Sequence, residues 1–345
     1  MYVNQNTVIF EKHDMRFIAK HGLEGAADLA LDHYRRFRLP FLMDTAQLAA
    51  FFSIQEYDLF HTVFECDSMY RSFRLPKRTG GTRQIEAPEP QLAFLQRRIA
   101  RKILKKIPIS PYATAYHRGA RMTKNASPHT GKKHLLKIDL SDFFHSIRLT
   151  DVHSRVFAPY YPKQIGYFLS LICCKDGRLT QGAPSSPAIS NIVMRCFDEP
   201  FGHWCEKRGL SYTRYCDDIT ISGDVPLYRA YEKASLWLSN MGFTINEKKT
   251  RFITDASRQT VTGLTVNEKV SVPSDYKRKL RQELYYVNRF GILSAADYLG
   301  LPDALKYCQS LMGRVNYILS VEPKNESFLK AKEALRGQFA FCAEE

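Results

Sequence analysis

Three aspartates carry the chemistry that this chain suggests first. Asp217 and Asp218 stand together in Tyr215-Cys216-Asp217-Asp218, between the strand-like runs Leu210–Tyr215 and Ile219–Ser222. Asp139 lies near the end of another apolar run, His134–Leu140, with Asp142 three residues on. A plain turn accepts Asp, because its short carboxylate bonds to nearby backbone. Apolar strands on both sides change the meaning of this turn, since they set two like charges at a half-buried tip. Such charges are costly together unless a cation neutralises them. Mg2+ suits the task, because it prefers carboxylate oxygens and carries substrate phosphates with it. A third carboxylate from an adjacent strand end, Asp139, would complete a two-metal site. Paired ions about 3.5 to 4 Å apart clamp the attacking and leaving oxygens of an in-line displacement.

The distribution of charge points to a polyanion as the partner. The chain has 345 residues and a formal net charge of +15. Residues 71–137 hold 17 Lys or Arg against two acids, Glu86 and Glu89, while the rest carries 33 of each sign. One fifth of the chain therefore holds the whole excess, and such a block attracts nucleic acid through counterion release. Phe73, Tyr112 and Tyr116 are interleaved with it, as in proteins that stack bases. Lys77, Arg78 and Arg83 surround Gly80-Gly81, the turn of a β-hairpin predicted over 71–90. Arg83 with Lys77 or Arg78 would neutralise a triphosphate. The residues alone thus point to metal-dependent chemistry on a phosphate chain, with synthesis and cleavage both open.

The elements that must position these groups follow from pattern and punctuation. Residues 23–70 read as two or three helices broken near Pro40 and Asp44. Leu92–Ile107 reads as an amphipathic helix with one basic face. Residues 108–133 are rich in Pro and Gly and read mostly as loop. After the strand 134–140 come helices near 149–157, 162–174, 187–207 and 227–241, then short strands over 243–272. From Ser274 onward the pattern is helical. This order is α+β rather than a regular βαβ repeat, and no glycine-rich nucleotide loop follows a strand. A hydrophobic fraction of 44% excludes global disorder. The longest apolar run, Ile165–Cys174, is well short of the roughly 18 to 20 residues that span a bilayer. With no signal-like start, the reading is a cytoplasmic protein without a membrane partner. Eight cysteines with no C-x-x-C pair read as reduced, with no zinc cluster among them.

In order and spacing these segments resemble reverse transcriptases, most closely the bacterial retron type. The resemblance rests on KIDLSDFF around Asp139, TQGAPSSPAISN (Thr180–Asn191), YCDD (Tyr215–Asp218) and MGFTINEKKT (Met241–Thr250). Two further matches, Asn125-Ala126-Ser127-Pro128-His129 and Val261-Thr262-Gly263, point to retrons within that group. Together they span about 75 to 270. Cys216 departs from the Ala often found there, but it is also small and uncharged.

The resemblance implies a right-hand polymerase: N-terminal helices and fingers over 1–133, an antiparallel palm over 134–273 with fingers helices inserted about 149–190, and a helical thumb over 274–345. It implies RNA-directed DNA synthesis with two Mg2+ ions, or Mn2+, and deoxynucleoside triphosphates. Asp139, Asp217 and Asp218 become the catalytic metal ligands, with the Leu140 carbonyl as a fourth. Phe144 takes the place of the bulky residue that excludes a ribose 2′-hydroxyl, with core packing as its other role beside Phe143. Lys77, Arg78 and Arg83 face the triphosphate, and Gln181 and Gly182 form the loop under the nucleotide. Lys248 or Lys249 protonates the leaving pyrophosphate. Asn125 and His129 contact RNA or lock their loop. Val261, Thr262 and Gly263 lie near the primer end, and Lys277, Arg278, Lys279 and Arg281 grip a duplex or stem-loop.

The partners implied are a cognate structured non-coding RNA (msr-msd) and its msDNA product, a short DNA joined to an internal guanosine 2′-hydroxyl. An effector or toxin protein from the same operon and a role in antiphage defence belong to the same implication. The alternatives are a group II intron-type or other bacterial reverse transcriptase, a catalytically idle RNA-binding protein on that scaffold, and a metal-dependent nuclease.

Overall fold

The computed structural model describes residues 2–4, 7–9, 23–76 and 80–344, with side chains over 28–76 and 80–338. Lys77 and Arg78 lie outside the described residues. The class is α+β, as the sequence implies. Two compact units form: one from Met1–Ala120, Lys137–Ile219 and Tyr228–Arg251, the other from Arg121–Leu136, Thr220–Leu227 and Phe252–Glu345. Among the described residues no helix is long and apolar enough to cross a membrane. The seven cysteines with described side chains are free.

In the first unit, a basic hairpin pairs Tyr70–Pro76 with Thr82–Pro88 in antiparallel register, Leu75 opposite Arg83. Its turn holds Gly80 and Gly81 at φ +87° and +78°, a region that glycine enters without steric cost. The hairpin is exposed at Thr82, Arg83 and Gln84 and buried at Glu86 and Pro88, so it is rooted at one end and open at the other. The helix after it runs Pro90–Lys102 and buries Leu92, Leu95 and Ile99, leaving Arg97 and Arg101 in solvent. It stops short of the predicted Ile107, and a 3-10 turn, Leu104–Lys106, takes over. Pro108 disfavours the α conformation in the residue before it, which tightens this end.

The strand His134–Ser141 places Asp139 by period-two alternation. Ile138 and Leu140 are buried, while Lys137, Asp139 and Ser141 share the opposite, half-open face. Side by side lie Ser211–Tyr215, Asp218–Gly223, His134–Ser141 and Thr244–Ile245, in that order. Leu140 pairs antiparallel with Ile245, and Ser141 with Thr244. The helix Ser186–Glu206 carries Pro in its first turn, where the missing N–H costs nothing. Its buried side includes Phe197 and Phe201, and also the polar Asn191 and Asp198. At Gly202 a Cβ would stand 2.2 Å from the Tyr112 ring, so only glycine lets that ring lie against the helix.

The second unit has its own core, built from Val261, Leu264, Leu280, Leu284, Val287, Leu311, Val315 and Phe328 among others. Four helices supply most of it: Ser274–Phe290, Ile292–Tyr298, Ala304–Val321 and Glu326–Glu344. Leu280, Leu284 and Val287 recur at helical spacing, which accounts for the buried face of the first. The predicted strand at Lys269–Val272 reduces to a single bridge, Thr265 to Ser271.

Candidate active site

A cavity of about 740 Å³ in the first unit collects residues from segments far apart in the chain. Asp139, Leu140, Asp142 and Phe144 enter from the Asp139 strand and its following turn, Cys216 and Asp217 from the hairpin tip. Arg74, Arg83 and Gln84 come from the basic hairpin, Gln181 from the loop before the long helix, and Asn246 and Lys249 from the turn after Thr244–Ile245. Backbone bonds fix the acidic segments together. Leu140 N donates to Asp217 O at 3.2 Å, and Asn246 N donates to Asp139 O at 2.8 Å. Asp218 lines not this cavity but a smaller recess, with Lys137, Asp139, Lys249 and Arg251, and the two share Asp139 and Lys249.

The electrostatics of these acids fit a divalent cation. Burial, then the charges of Asp217 and Asp139, push the Asp218 carboxyl up to about 6. Lys249 Nζ donates to both carboxylate oxygens of Asp139 at 2.9 Å, an ammonium standing where carboxylates need a positive partner. Among the described residues no group of three or more His, Cys, Asp or Glu is posed as a ready-made metal centre. The donor set is nonetheless hard oxygen throughout, the set that Mg2+ and Mn2+ select over softer ions.

The aromatic and lysine pairs near the cavity each divide between its wall and elsewhere. Phe143 is buried and packs against Phe243 at 5.8 Å between ring centroids. Phe144 is only half-buried and lines the cavity, so the aromatic pair divides between core and site. Both lysines of the pair are exposed, but Lys249 lines the cavity and Lys248 does not. Of the two lysines left open by the sequence, the geometry favours Lys249, because the backbone turn at Asn246–Thr250 sends neighbouring side chains apart. Gly182 takes φ +134°, and a Cβ there would meet Glu86 O at 2.6 Å.

Glu86, one of the two acids in the basic block, roots the hairpin. Its carboxylate accepts from Lys175 Nζ at 2.8 Å and from His145 Nε2 at 3.0 Å, and its N–H donates to Gln181 O at 2.9 Å. Burial opposes its charge, but Lys175 and His145 outweigh burial and hold its pKa below the ordinary carboxylate value.

Behind the tip lies a wholly buried ion pair. Arg214 and Asp198 are both 0% exposed in their side chains. Arg214 donates from Nε and Nη2 to the two Asp198 oxygens at 2.9 and 2.6 Å. Its Nη1 reaches Asn191 Oδ1 at 3.3 Å and the Cys216 carbonyl at 2.9 Å. Tyr212 OH adds a bond to Asp198 at 2.7 Å. Burial works against the guanidinium charge, yet Asp198 raises its pKa above the ordinary value, so it stays cationic. The Cys216 carbonyl belongs to a left-handed residue, φ +63°, directly before Asp217.

These two networks were missed in the sequence, although signals existed. Asn191 and Asp198 are seven apart, on one helix face, among apolar neighbours. Arg214 interrupts a strand whose other members are otherwise uncharged.

In the second unit several expected RNA contacts are internal. Asn125 and His129 are 1% and 0% exposed. Asn125 Nδ2 donates to Thr262 Oγ1 at 3.4 Å, and His129 Nδ1 meets Ser222 Oγ at 2.7 Å. Enclosed side chains with engaged polar atoms do not reach RNA, so of the two roles foreseen for them the structure favours locking the loop. Val261 is a core residue as well, while Thr262 is half-buried and Gly263 exposed. Lys277 is committed to Glu322 at 2.7 Å, and Arg281 lies over the Phe328 ring at 5.2 Å. Arg278 and Lys279 are exposed.

A family model described as reverse transcriptase (RNA-dependent DNA polymerase) matches residues 75–300. The retron Ec86 reverse transcriptase of Escherichia coli is 30% identical, covering 76% of this chain and 80% of that protein. The retron Ec83 reverse transcriptase of the same organism is 31% identical, covering 78% and 87%. The retron Mx65 reverse transcriptase of Myxococcus xanthus is 30% identical over 78% of this chain and 65% of its own length. Among solved structures, a Candida albicans telomerase in complex with a telomeric RNA fragment aligns at 13% identity and a TM-score of 0.42, over 80% of this chain and 61% of that one. That likeness is too distant to carry an argument.

Proposed function

This chain belongs to the reverse transcriptase family, the RNA-directed DNA polymerases, and from that premise we propose that it is the polymerase of a retron. It copies part of a cognate structured RNA, the msr-msd transcript, into a short branched msDNA. An effector from the same operon and a part in antiphage defence complete this reading. The observation that carries it is the convergence of Asp139, Asp217, Arg83, Phe144, Gln181 and Lys249 on one cavity. A nuclease would need the acids but not the nucleotide-shaped remainder. On the same reading 1–133 contribute N-terminal helices and fingers, 134–273 the palm with its inserted fingers helices, and 274–345 the thumb.

Asp139, Asp217 and Asp218, with the Leu140 carbonyl, would hold two Mg2+ ions. Bound there, the ions supply charge neutralisation of the triphosphate and acidify the primer hydroxyl. Arg83 binds the triphosphate oxygens, as a planar fork suited to phosphate. Phe144 fills the space that a ribose 2′-hydroxyl would need. Lys249 Nζ, now bonded to Asp139, donates its proton to the pyrophosphate oxygen as that group leaves. Arg278 and Lys279 attract the RNA backbone from the second unit.

The test is extension of a primer on an RNA template with Mg2+ and deoxynucleotides. Wild-type protein extends, and Asp217→Ala with Asp218→Ala does not. Cleavage of nucleic acid without added nucleotides would favour the nuclease instead. Sequencing the nucleic acid that copurifies tests the retron assignment, since a branched RNA–DNA from a structured transcript beside the gene is the expected cargo.

A further inference from the structure

Of seven non-glycine residues with left-handed backbone among those described, three line the one cavity: Tyr116 (φ +61°), Asp142 (φ +43°) and Cys216 (φ +63°). Side chains with a Cβ rarely hold that conformation, and strain of this kind gathers at sites where placement matters. Asp142 and Cys216 adjoin the acidic segments. Tyr116 does not; it arrives from a separate loop, and neither the motifs nor the carboxylate chemistry accounts for it.

The loop is laid down with care. Thr114 N donates to Arg214 O at 2.8 Å, and Arg214 N donates to Tyr112 O at 2.9 Å, so the segment runs as a parallel partner of the tip strand. Asn191 Nδ2 then donates to Ala115 O at 2.8 Å. Asn191 Oδ1 accepts from the same Arg214 that holds the Cys216 carbonyl. One buried network therefore fixes both Tyr116 and the residue before Asp217. The Tyr116 hydroxyl is in hydrogen-bond contact with Cys216 Sγ at 2.9 Å, yet the residue remains 46% exposed. Its polar end is anchored and its aromatic face is left open, beside the wall formed by Arg83, Phe144 and Gln181.

We propose that Tyr116 is a nucleotide-contacting residue, its ring packing against the sugar and base of the incoming deoxynucleoside triphosphate. This rests on the polymerase reading above. An aromatic face accepts every base, because each offers a π surface, and so adds affinity without selecting sequence.

Steady-state extension by a single nucleotide on a fixed template–primer tests it. Tyr116→Ala should raise KM for the nucleotide about tenfold, with template–primer affinity retained. Tyr116→Phe keeps the ring and loses the hydroxyl, and should recover most of that affinity. Cys216→Ala severs the same hydroxyl contact while leaving the ring, and should not reproduce the tenfold rise. An unchanged KM in Tyr116→Ala overturns the proposal. So does weakened template–primer binding with KM unchanged, which would place the ring against the bound strands, and so does Cys216→Ala behaving like Tyr116→Ala. Wild-type protein that incorporates nothing would instead overturn the polymerase reading beneath it.

Discussion

Removing the Asp198 carboxylate should unfold this protein more readily than almost any other single change. In Asp198→Ala, Arg214 Nε and Nη2 lose their acceptors, and so does the Tyr212 hydroxyl. Each orphaned donor costs about 1–3 kcal/mol, and an uncompensated charge remains in a place with 0% exposure. Water entering the space left by the carboxylate offsets part of this, so the expected loss is that of a broken buried pair, ~3–5 kcal/mol. That is roughly a 150- to 5,000-fold shift toward the unfolded state, set against total stabilities of about 5–15 kcal/mol. Urea denaturation followed by tryptophan fluorescence measures it. The double variant Asp198→Leu with Arg214→Met separates two roles. Apolar replacement of a buried pair is often neutral or stabilising, so folding should largely return. The Cys216 carbonyl would still lack its donor, so polymerisation should stay impaired. A loss under about 1 kcal/mol for Asp198→Ala would refute the reasoning on stability, and full activity in the double variant would refute the reasoning on placement of the tip.

Burial pushes the His129 imidazole down to about 3, while an unfolded chain protonates His near 6.5. The unfolded state therefore binds the extra proton between these values, and this one group removes stability as pH falls through that window, by at most about 1.4 kcal/mol per unit. Melting temperature against pH should show that slope in wild type and a shallower one in His129→Gln. Gly182→Ala would set a methyl group 2.6 Å from Glu86 O at φ +134°. Extension assays should show nucleotide use falling by more than tenfold, a cost of over about 1.4 kcal/mol at a strained position. Lys249→Ala should slow extension by about tenfold or more, and Lys248→Ala should leave single-turnover rates close to wild type. Equal effects from the two would contradict the geometry around Asp139.

Much of the fold was legible because its signals are local. The apolar run His134–Leu140 marked the strand that ends near Asp139, and apolar spacing told which side of Pro90–Lys102 would be buried. The acidic tip was legible because two like charges between apolar strands demand an explanation on their own. What stayed hidden depends on what stands across the fold. Asn125 and His129 look like exposed polar residues of a loop, and only the packing of the second unit reveals that they are enclosed. Asp198 and Arg214 drew no reading in the sequence, because each becomes meaningful only as the other's buried partner. Periodicity could not choose between Phe143 and Phe144, since adjacent residues of a turn follow no fixed alternation.

The rooting of the basic hairpin by Glu86 means that holding the hairpin and attracting nucleic acid draw on different charges. Exposed arginines act across water and fade once ionic strength shortens the Debye length to about 8 Å or less, whereas the carboxylate beneath them is shielded at 9% side-chain exposure. Rising salt should release RNA while the hairpin stays seated.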